Sequence, residues 1–541
     1  MKPAADAPFR TSRRFGGRWL RPALVCVGSC VAMAVIFYVE EDWRGQRDWN
    51  RYRQAVEARG ESLDFRDYIP KPVPDAENFA ASDIVQSWLS QTIIFTNDLY
   101  ARANDHVVYG DTTKDYIGHR HFTDLVAWQM ASADLQAGEL TSNAPMVRRG
   151  STVRRPRNSL SRTSQNFHTD KTDLPSRALA APAVLEGLKP DEADLAELRL
   201  ASARPYSRFP LQYDLEDPAA IQLSHLSKIK TVCQRVSLRA CAELAAGQTD
   251  QALADVKLVL YLADAIRTEP YLISYLVRVA SFHIAIQPVW EGLAEQRWTE
   301  AQLRELQTQF QNYDFIAGQD QAFKAERTFG IQQIEIIKQH GVRHLFGANG
   351  VGKMPPREVL FDFAGRMMPS GWYDLERLNY CTAYDTRIKT IVDPAGKRVF
   401  PGQAASDSAD YPFPMETTPL YSILHHQMIA AMIFPSLART TVKTAAAQTA
   451  ANQTAIACAL ERYRLAKGQF PEKLESLTPQ YISRLPNDVI SGQPYKYRRA
   501  ADGQFVLYSV GWNEKDDGGV SGTHGLYDDK EGDWVWDYPA K

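Results

Sequence analysis

Cysteine is scarce: six occur in 541 residues, and none stands in C-x-x-C spacing. That excludes a disulfide framework and a paired-cysteine zinc or redox motif. Cys233 and Cys241 fall eight apart on one helical pattern, ~12 Å along the axis at the helical rise and beyond the reach of a disulfide. Buried free thiols are expected there and at Cys381 and Cys458, while Cys26 and Cys30 fall in an apolar N-terminal run. An excess of either charge is also absent. The 62 Lys and Arg against 64 Asp and Glu leave a net charge of −2, which argues against nucleic acid or another polyanion as a partner of the whole chain.

Catalytic signatures are missing as well. There is no G-x-S-x-G elbow, and Ser227 with Lys230 meets S-x-x-K only as two polar positions of an amphipathic helix. The companion K-T-G is absent, Lys443-Thr444-Ala445 being the nearest. No H-E-x-x-H occurs; His119 and His121 form an H-x-H without a third ligand, and the neighbours His425 and His426 would face different sides of a helix. Gly347 to Lys353 matches the G-x4-G-K spacing of a phosphate loop. Its context fails, because Met354 stands where Ser or Thr would hold magnesium and Pro355-Pro356 hinder the helix that should follow. No nucleotide site is expected. With no signature for chemistry, a binding role leads and an envelope hydrolase with an unrecognised active site is the alternative.

What is present begins with an apolar run. Pro22 to Val39 carries no charge, enough for a short membrane-spanning helix. Arg10, Arg13, Arg14, Arg18 and Arg21 precede it and Glu40, Glu41 and Asp42 follow, which places the N-terminus inside and the rest outside. Ala32-Met33-Ala34 has the look of a cleavage site, yet the run continues through Ile36, Phe37 and Val39, as an uncleaved anchor does. A helix stopping at Gly60, a proline-rich connection and a helix from Ser82 to Leu99 come next. Six arginines, many Ser and Thr and almost no large apolar residues mark the stretch from Asn143 to Ser176, a composition that cannot bury enough surface to order itself. It is expected to be a flexible loop, with docking to anionic lipid or cell-wall polymer as the other reading.

The best-patterned part is helical. Leu226, Ile229, Cys233, Val236, Ala240 and Leu244 recur at threes and fours, AAGQTD turns the chain, and Leu253, Val256, Leu260 and Ala263 repeat the stripe. The wording AELAAGQTDQALADV is similar to one tetratricopeptide unit, but no copy follows at the required period, so a plain helical hairpin is expected. Pro270 opens a third helix, through Trp290, that is apolar enough to pass for a second span. Arg278, His283, Gln287 and Pro288 interrupt it, which marks a buried core helix with His283 hydrogen-bonded inside. A capping box at Thr299 to Gln302 starts a fourth helix, and a fifth runs from Ala317 to Gln339 before Gly341.

The C-terminal part begins as an alanine-rich helix that stops at Lys467-Gly468, then shows a short helix around Leu474 and Leu477 and a hairpin through PYKYRR and QFVLYSVG. The segments ALERYRLAKGQFPEKLESL, LPNDVISGQPYKYR and LYSVGWNEKDDGG, in that order, resemble the C-terminal domain of type II secretion major pseudopilins, in which a long helix leads to a small sheet and an acidic loop. The resemblance implies a Gram-negative type of envelope, with the bulk of the chain in the periplasm. It also implies calcium as the candidate cofactor, with Asn513, Asp516, Asp517, Asp528 and Asp529 as the candidate metal ligands and Glu531 and Asp533 beside them. Gly518, Gly519 and Gly522 would let such a loop fold round an ion that takes six to eight oxygens; the spacing of an EF-hand is absent. A solvated turn without metal is the other reading. Two departures stand out: no prepilin-peptidase site lies at Gly16-Gly17-Arg18, and a long helical region separates the apolar run from the pseudopilin-like part. Both speak against a filament subunit.

The expected fold is mainly α: a single N-terminal transmembrane helix, a helical-bundle domain and a small α+β pseudopilin-like C-terminal domain. Its segments are a basic cytoplasmic tail (1–21), the transmembrane helix (22–39), a juxtamembrane helical segment (40–140), the flexible Arg/Ser/Thr-rich loop (141–178), a helical domain (179–345), an irregular Pro/Gly/aromatic-rich segment (346–430) and the helix-plus-hairpin domain (431–541). The expected role is that of an inner-membrane, single-pass scaffold whose partners are membrane lipid, through the anchor, and envelope proteins.

Overall fold

A helix of 38 residues, α1 (Leu20–Glu57), opens the described part of the chain. The computed structural model describes residues 20–90, 120–136, 174–213, 221–341, 365, 367–404, 419–434 and 437–538. The arginines at 10, 13, 14 and 18, most of the Arg-rich segment, His119, the second half of the helix expected to Leu99 and the Gly347–Lys353 match lie outside those residues. After α1 come α2 (Asp83–Ser90), α3 (Leu125–Gln136), α4 (Leu174–Leu188), α5 (Glu192–Ala201), α6 (Ser224–Ala245), α7 (Thr249–Asp264) and α8 (Leu272–Ala294). Then follow α9 (Glu300–Gln311), α10 (Phe315–His340), α11 (Ser370–Ala383), α12 (Pro419–Leu424), α13 (Met428–Ile433) and α14 (Leu437–Lys467). The strands are β1 (Val392–Asp393), β2 (Arg398–Val399), β3 (Lys496–Arg499), β4 (Phe505–Ser509) and β5 (Trp534–Trp536). The protein is thus mainly helical, with a small sheet near the C-terminus.

Two compact units arise from these elements, one from residues 1–63, 330–382 and 416–433 and the other from 64–329, 383–415 and 434–541. In the first, the apolar run and the helix expected to stop at Gly60 form one continuous helix. No proline and only one glycine, Gly45, falls between them, and the left-handed Gly60 (φ 76°) comes just past the end. Residues 24–40 of α1 are exposed all round; from Glu41 onward Glu41, Gly45, Trp49 and Val56 turn one buried stripe at helical spacing toward the rest of the unit. Gly45 has to be glycine there, since a Cβ would lie 2.0 Å from the carbonyl oxygen of Gly371. Glu376, on α11 and fully buried, accepts from the N–H groups of Met428 (2.7 Å), Ile429 (3.1 Å) and Ala430 (2.9 Å), capping α13 from a distance.

In the second unit, α6 and α7 form the expected hairpin, turning at Gly247 (φ 79°), and α8 packs on both. Pro288 sits inside α8 without ending it. Its ring removes the N–H that Ile284 O would accept, and Ser237 Oγ donates to that carbonyl instead (3.0 Å). The helix begins at Leu272, with Tyr271 extended at its N-cap, so Pro270 precedes the first turn instead of filling it. The capping box at Thr299 and Gln302 is present. Helix α14 is buried on nearly every side between Thr444 and Leu460, which its run of alanines allows because small side chains let neighbours approach closely. α8, α9 and strands β4 and β5 pack on it. Several of its polar residues reach partners: Thr444 Oγ1 lies 2.8 Å from Tyr275 OH, Gln448 Oε1 accepts from Phe315 N (2.7 Å), Gln453 Nε2 donates to Trp534 O (2.7 Å) and Arg462 Nη1 donates to Gln307 Oε1 (2.9 Å). The hairpin pairs Tyr497 with Leu507, and β5 adds a third antiparallel strand with Ser509 opposite Trp534.

Candidate functional site

Two buried aspartates brace the end of β4 and the acidic loop that runs from it to β5. Asp488 accepts from Ser509 Oγ (2.8 Å), Ile490 N (3.1 Å) and Ser491 Oγ (3.0 Å). Asp533, 1% exposed, accepts from Gly519 N (2.6 Å) and Asp517 N (3.2 Å). Burial raises the pKa of Asp533, and those two N–H groups act against the rise.

These turns divide the candidate ligands into two groups. In one, Asn513 Nδ2 donates to Asp517 Oδ2 (2.8 Å), while Asp516 accepts from Tyr508 OH (3.1 Å) and pairs with Lys496 Nζ (3.1 Å). The Gly518 N–H and then Lys496 hold Asp516 below the usual carboxylate range. In the other, Asp528 is buried and accepts from His524 N (2.8 Å), Lys530 N (2.8 Å) and His524 Nδ1 (3.0 Å). Burial pushes Asp528 up, but these donors outweigh it and its pKa is lowered. Asp529, next to it, is exposed. Ligand atoms of His524, Asp528 and Glu531 all lie within 4.8 Å of one another. One nitrogen and two carboxylates form a donor set for a borderline cation such as zinc, whereas calcium takes oxygens alone. Asn513, Asp516 and Asp517 carry the oxygen donors calcium would want, already engaged with neighbours.

No protein-family profile, curated protein or solved structure matches this chain.

Two clefts of the second unit add groups that residue spacing did not single out. One, of about 540 Å³, opens between α7, α8 and the end of α9, beside Arg199, Lys257, Tyr261, Asp264, Arg278 and Tyr313. Arg278 donates to Asp264 Oδ1 (2.8 Å) and lies over the Phe315 ring (4.9 Å), a fixed cation on an aromatic face. Ser202, also on its lining, donates its hydroxyl to Arg199 O (2.8 Å). The second, of about 320 Å³, borders Glu243 and Arg239. Glu243 is raised to about 8, first by burial and then by the neighbouring charge of Asp255. Arg239 Nε lies 3.0 Å from Glu243 and 3.6 Å from Asp255, so two carboxyls and their arginines form one buried polar knot.

Candidates from the sequence that carry no such geometry are quickly placed. Ser227 Oγ donates to Ser224 O (3.0 Å) at the start of α6, as a solvent-side helix residue does. His283 is half-buried against the Tyr527 ring (5.4 Å), its pKa lowered to about 3 by burial and then by the Arg120 charge. His524, Asp528 and Glu531 stand at i, i+4 and i+7, a spacing that carries no expectation of a shared face in a glycine-rich loop, and here turns instead of a helix bring them together.

Proposed function

We propose that this chain is a single-pass, membrane-anchored envelope protein, N-terminus inside and folded bulk outside, that acts by binding other envelope proteins. The observation that carries the reading is α1. Its window of mean hydropathy 1.8 is 6% buried, and the helix then continues without a break into a stripe that packs. A soluble protein leaving so long an apolar helix bare would expose far more contiguous apolar surface than monomers tolerate; lipid is the natural cover. The likeness of the C-terminal part to pseudopilins adds support for an envelope setting, because a long helix against a small sheet with an acidic loop is the layout that the likeness implies. Here that helix is embedded among α8 and α9, and we read it as a borrowed layout inside a scaffold.

Protease treatment of intact spheroplasts tests the orientation. The C-terminal part should be digested from outside and the extreme N-terminus protected; protection of the C-terminal part would overturn it. Crosslinking of the anchored chain followed by affinity capture tests the scaffold role, which fails if no discrete partner is recovered.

A further inference from the structure

We propose that two segments of the first unit, residues 367–372 and 419–426, form an interfacial collar that rests in the lipid headgroup region around α1, a second membrane contact beyond the span itself. The proposal rests on the anchor reading above. Three side chains of these segments stand out in water: Met367 at 59% exposure, Leu424 at 58% and Tyr421 at 40%. Three exposed aromatics of α1 belong to the same level, Phe37, Tyr38 and Trp43.

Their height along α1 is fixed by contacts within the unit. Tyr38 OH donates to Met367 O (2.5 Å), the Phe37 ring meets Trp372 edge-on at 6.2 Å, Trp372 Nε1 donates to Glu41 (2.8 Å) and Gly371 N donates to Asp42 (2.7 Å). The second segment is tied to the same place: His426 lies 4.8 Å from the Trp372 ring and 3.5 Å from Arg44 Nη2, and Asn379 Nδ2 donates to the carbonyls of His425 (2.9 Å) and His426 (2.7 Å). At the helical rise, Val39 to Arg44 spans ~7.5 Å, about the depth of one headgroup layer. Whatever touches residues 37–44 therefore sits at the membrane surface once residues 22–39 are inside it.

Charge does not oppose this placement. Glu41 is engaged by Arg44 (2.7 Å) and Trp372, and Asp42 by Gly371 N, so two of the three acidic groups at the helix exit are already met by donors. Tyr38, Trp43 and Tyr421, each with one apolar and one wet end, suit that layer, and Met367 and Leu424 add apolar surface beside them. Lipid is the occupant because the patch is continuous with the exposed run of α1.

The full chain, reconstituted in phosphatidylcholine vesicles, provides the test. In a Cys26→Ser, Cys30→Ser background the four remaining cysteines are buried, so single sites Met367→Cys and Leu424→Cys take a fluorescent label, with Val31→Cys as the deep reference and Leu200→Cys, from a site 78% exposed, as the aqueous one. Shallow lipid-borne nitroxides should quench labels at 367 and 424 about twofold more than deep nitroxides do, with the order reversed at 31, because the layers are separated by roughly half the hydrocarbon thickness. Labels at 367 and 424 that ignore lipid nitroxides while the label at 31 responds would overturn the collar and leave the anchor standing. A silent label at 31 would overturn the anchor, and the collar with it. Shielding at 367 and 424 from both lipid nitroxide and aqueous iodide would mean that protein covers the patch, which also overturns the lipid assignment.

Discussion

Helices α1 and α8 pass the same length and hydropathy test for crossing a membrane, at 1.8 and 1.4, yet 6% of one window is buried and 61% of the other. The difference lies in the polar residues each carries. The run of α1 from Pro22 to Val39 has none that is charged, and among the described residues it stays exposed, touched only near its end through Phe37 and Tyr38. Helix α8 carries Ser274, Arg278, Gln287 and Glu291, and each has a partner: Glu269 Oε2, Asp264, His121 O and Arg177 in turn. Apolar length makes a helix eligible for lipid or for a core; placed polar partners decide for the core, since a buried polar group without one costs free energy.

The sharpest way to break the contrast is to strip α8 of a partner. Arg177 on α4 reaches both Glu291 and Glu295, all three nearly sealed from solvent. Burial works against its charge, and the two glutamates hold its pKa above the ordinary value. Arg177→Ala should cost about 3–5 kcal/mol, because it leaves the buried Glu291 carboxylate with only the neutral donors Thr123 and Gln287 and Glu295 with Arg297 alone; thermal unfolding by circular dichroism would show it. Recovery toward wild type in a triple variant with Glu291→Gln and Glu295→Gln would confirm that stranded charge is the cause.

Apolar truncation sharpens the comparison. Ile286 is wholly buried, and Ile286→Ala should lower stability by about 2–4 kcal/mol through lost packing. Val31→Ala, at a site 57% exposed, should leave the unfolding midpoint of detergent-solubilised protein within its error. Equal losses at both positions would mean that α1 is covered by protein. A charge at the same place acts on insertion: Val31→Asp should weaken membrane retention by roughly 2.5–3.5 kcal/mol at the helix centre, read as release on carbonate extraction, with the fold unchanged.

A further effect depends on pH. His283 of α8 has its folded pKa lowered to about 3, so below its unfolded value, near 6.5, the unfolded chain binds the extra proton. Its contribution is present above pH 6.5 and is lost as pH falls toward 3. His283→Gln should flatten the decline of the melting midpoint between pH 6.5 and 4 relative to wild type. An unchanged slope would place the acid sensitivity elsewhere.

Much of the fold is legible in the chain because its signals are local. The Thr299 capping box, the Gly247 turn, the stop at Gly468 and the alternating run around Tyr497 and Leu507 are settled by neighbours in sequence, and each forms as expected. The loop candidates were legible only as acidic content. What divides Asp516 from Asp528 is the set of donors around each, Lys496 and Tyr508 for one and the N–H groups of His524 and Lys530 for the other, and no periodicity announces it.

By itself the sequence determined the capped ends of several helices, which eighteen-residue run is bare of charge, and which absences make familiar chemistry a poor expectation; it did not announce α11, α12 and α13, which lie in the stretch expected to be irregular. Only the tertiary structure decided that the alanine-rich α14 is a buried centre, that Pro288 survives inside α8 through Ser237, and that α1 stays bare until Glu41. The reason is physical: caps and turns are short-range hydrogen-bond problems, whereas burial depends on which distant side chains arrive to satisfy a surface.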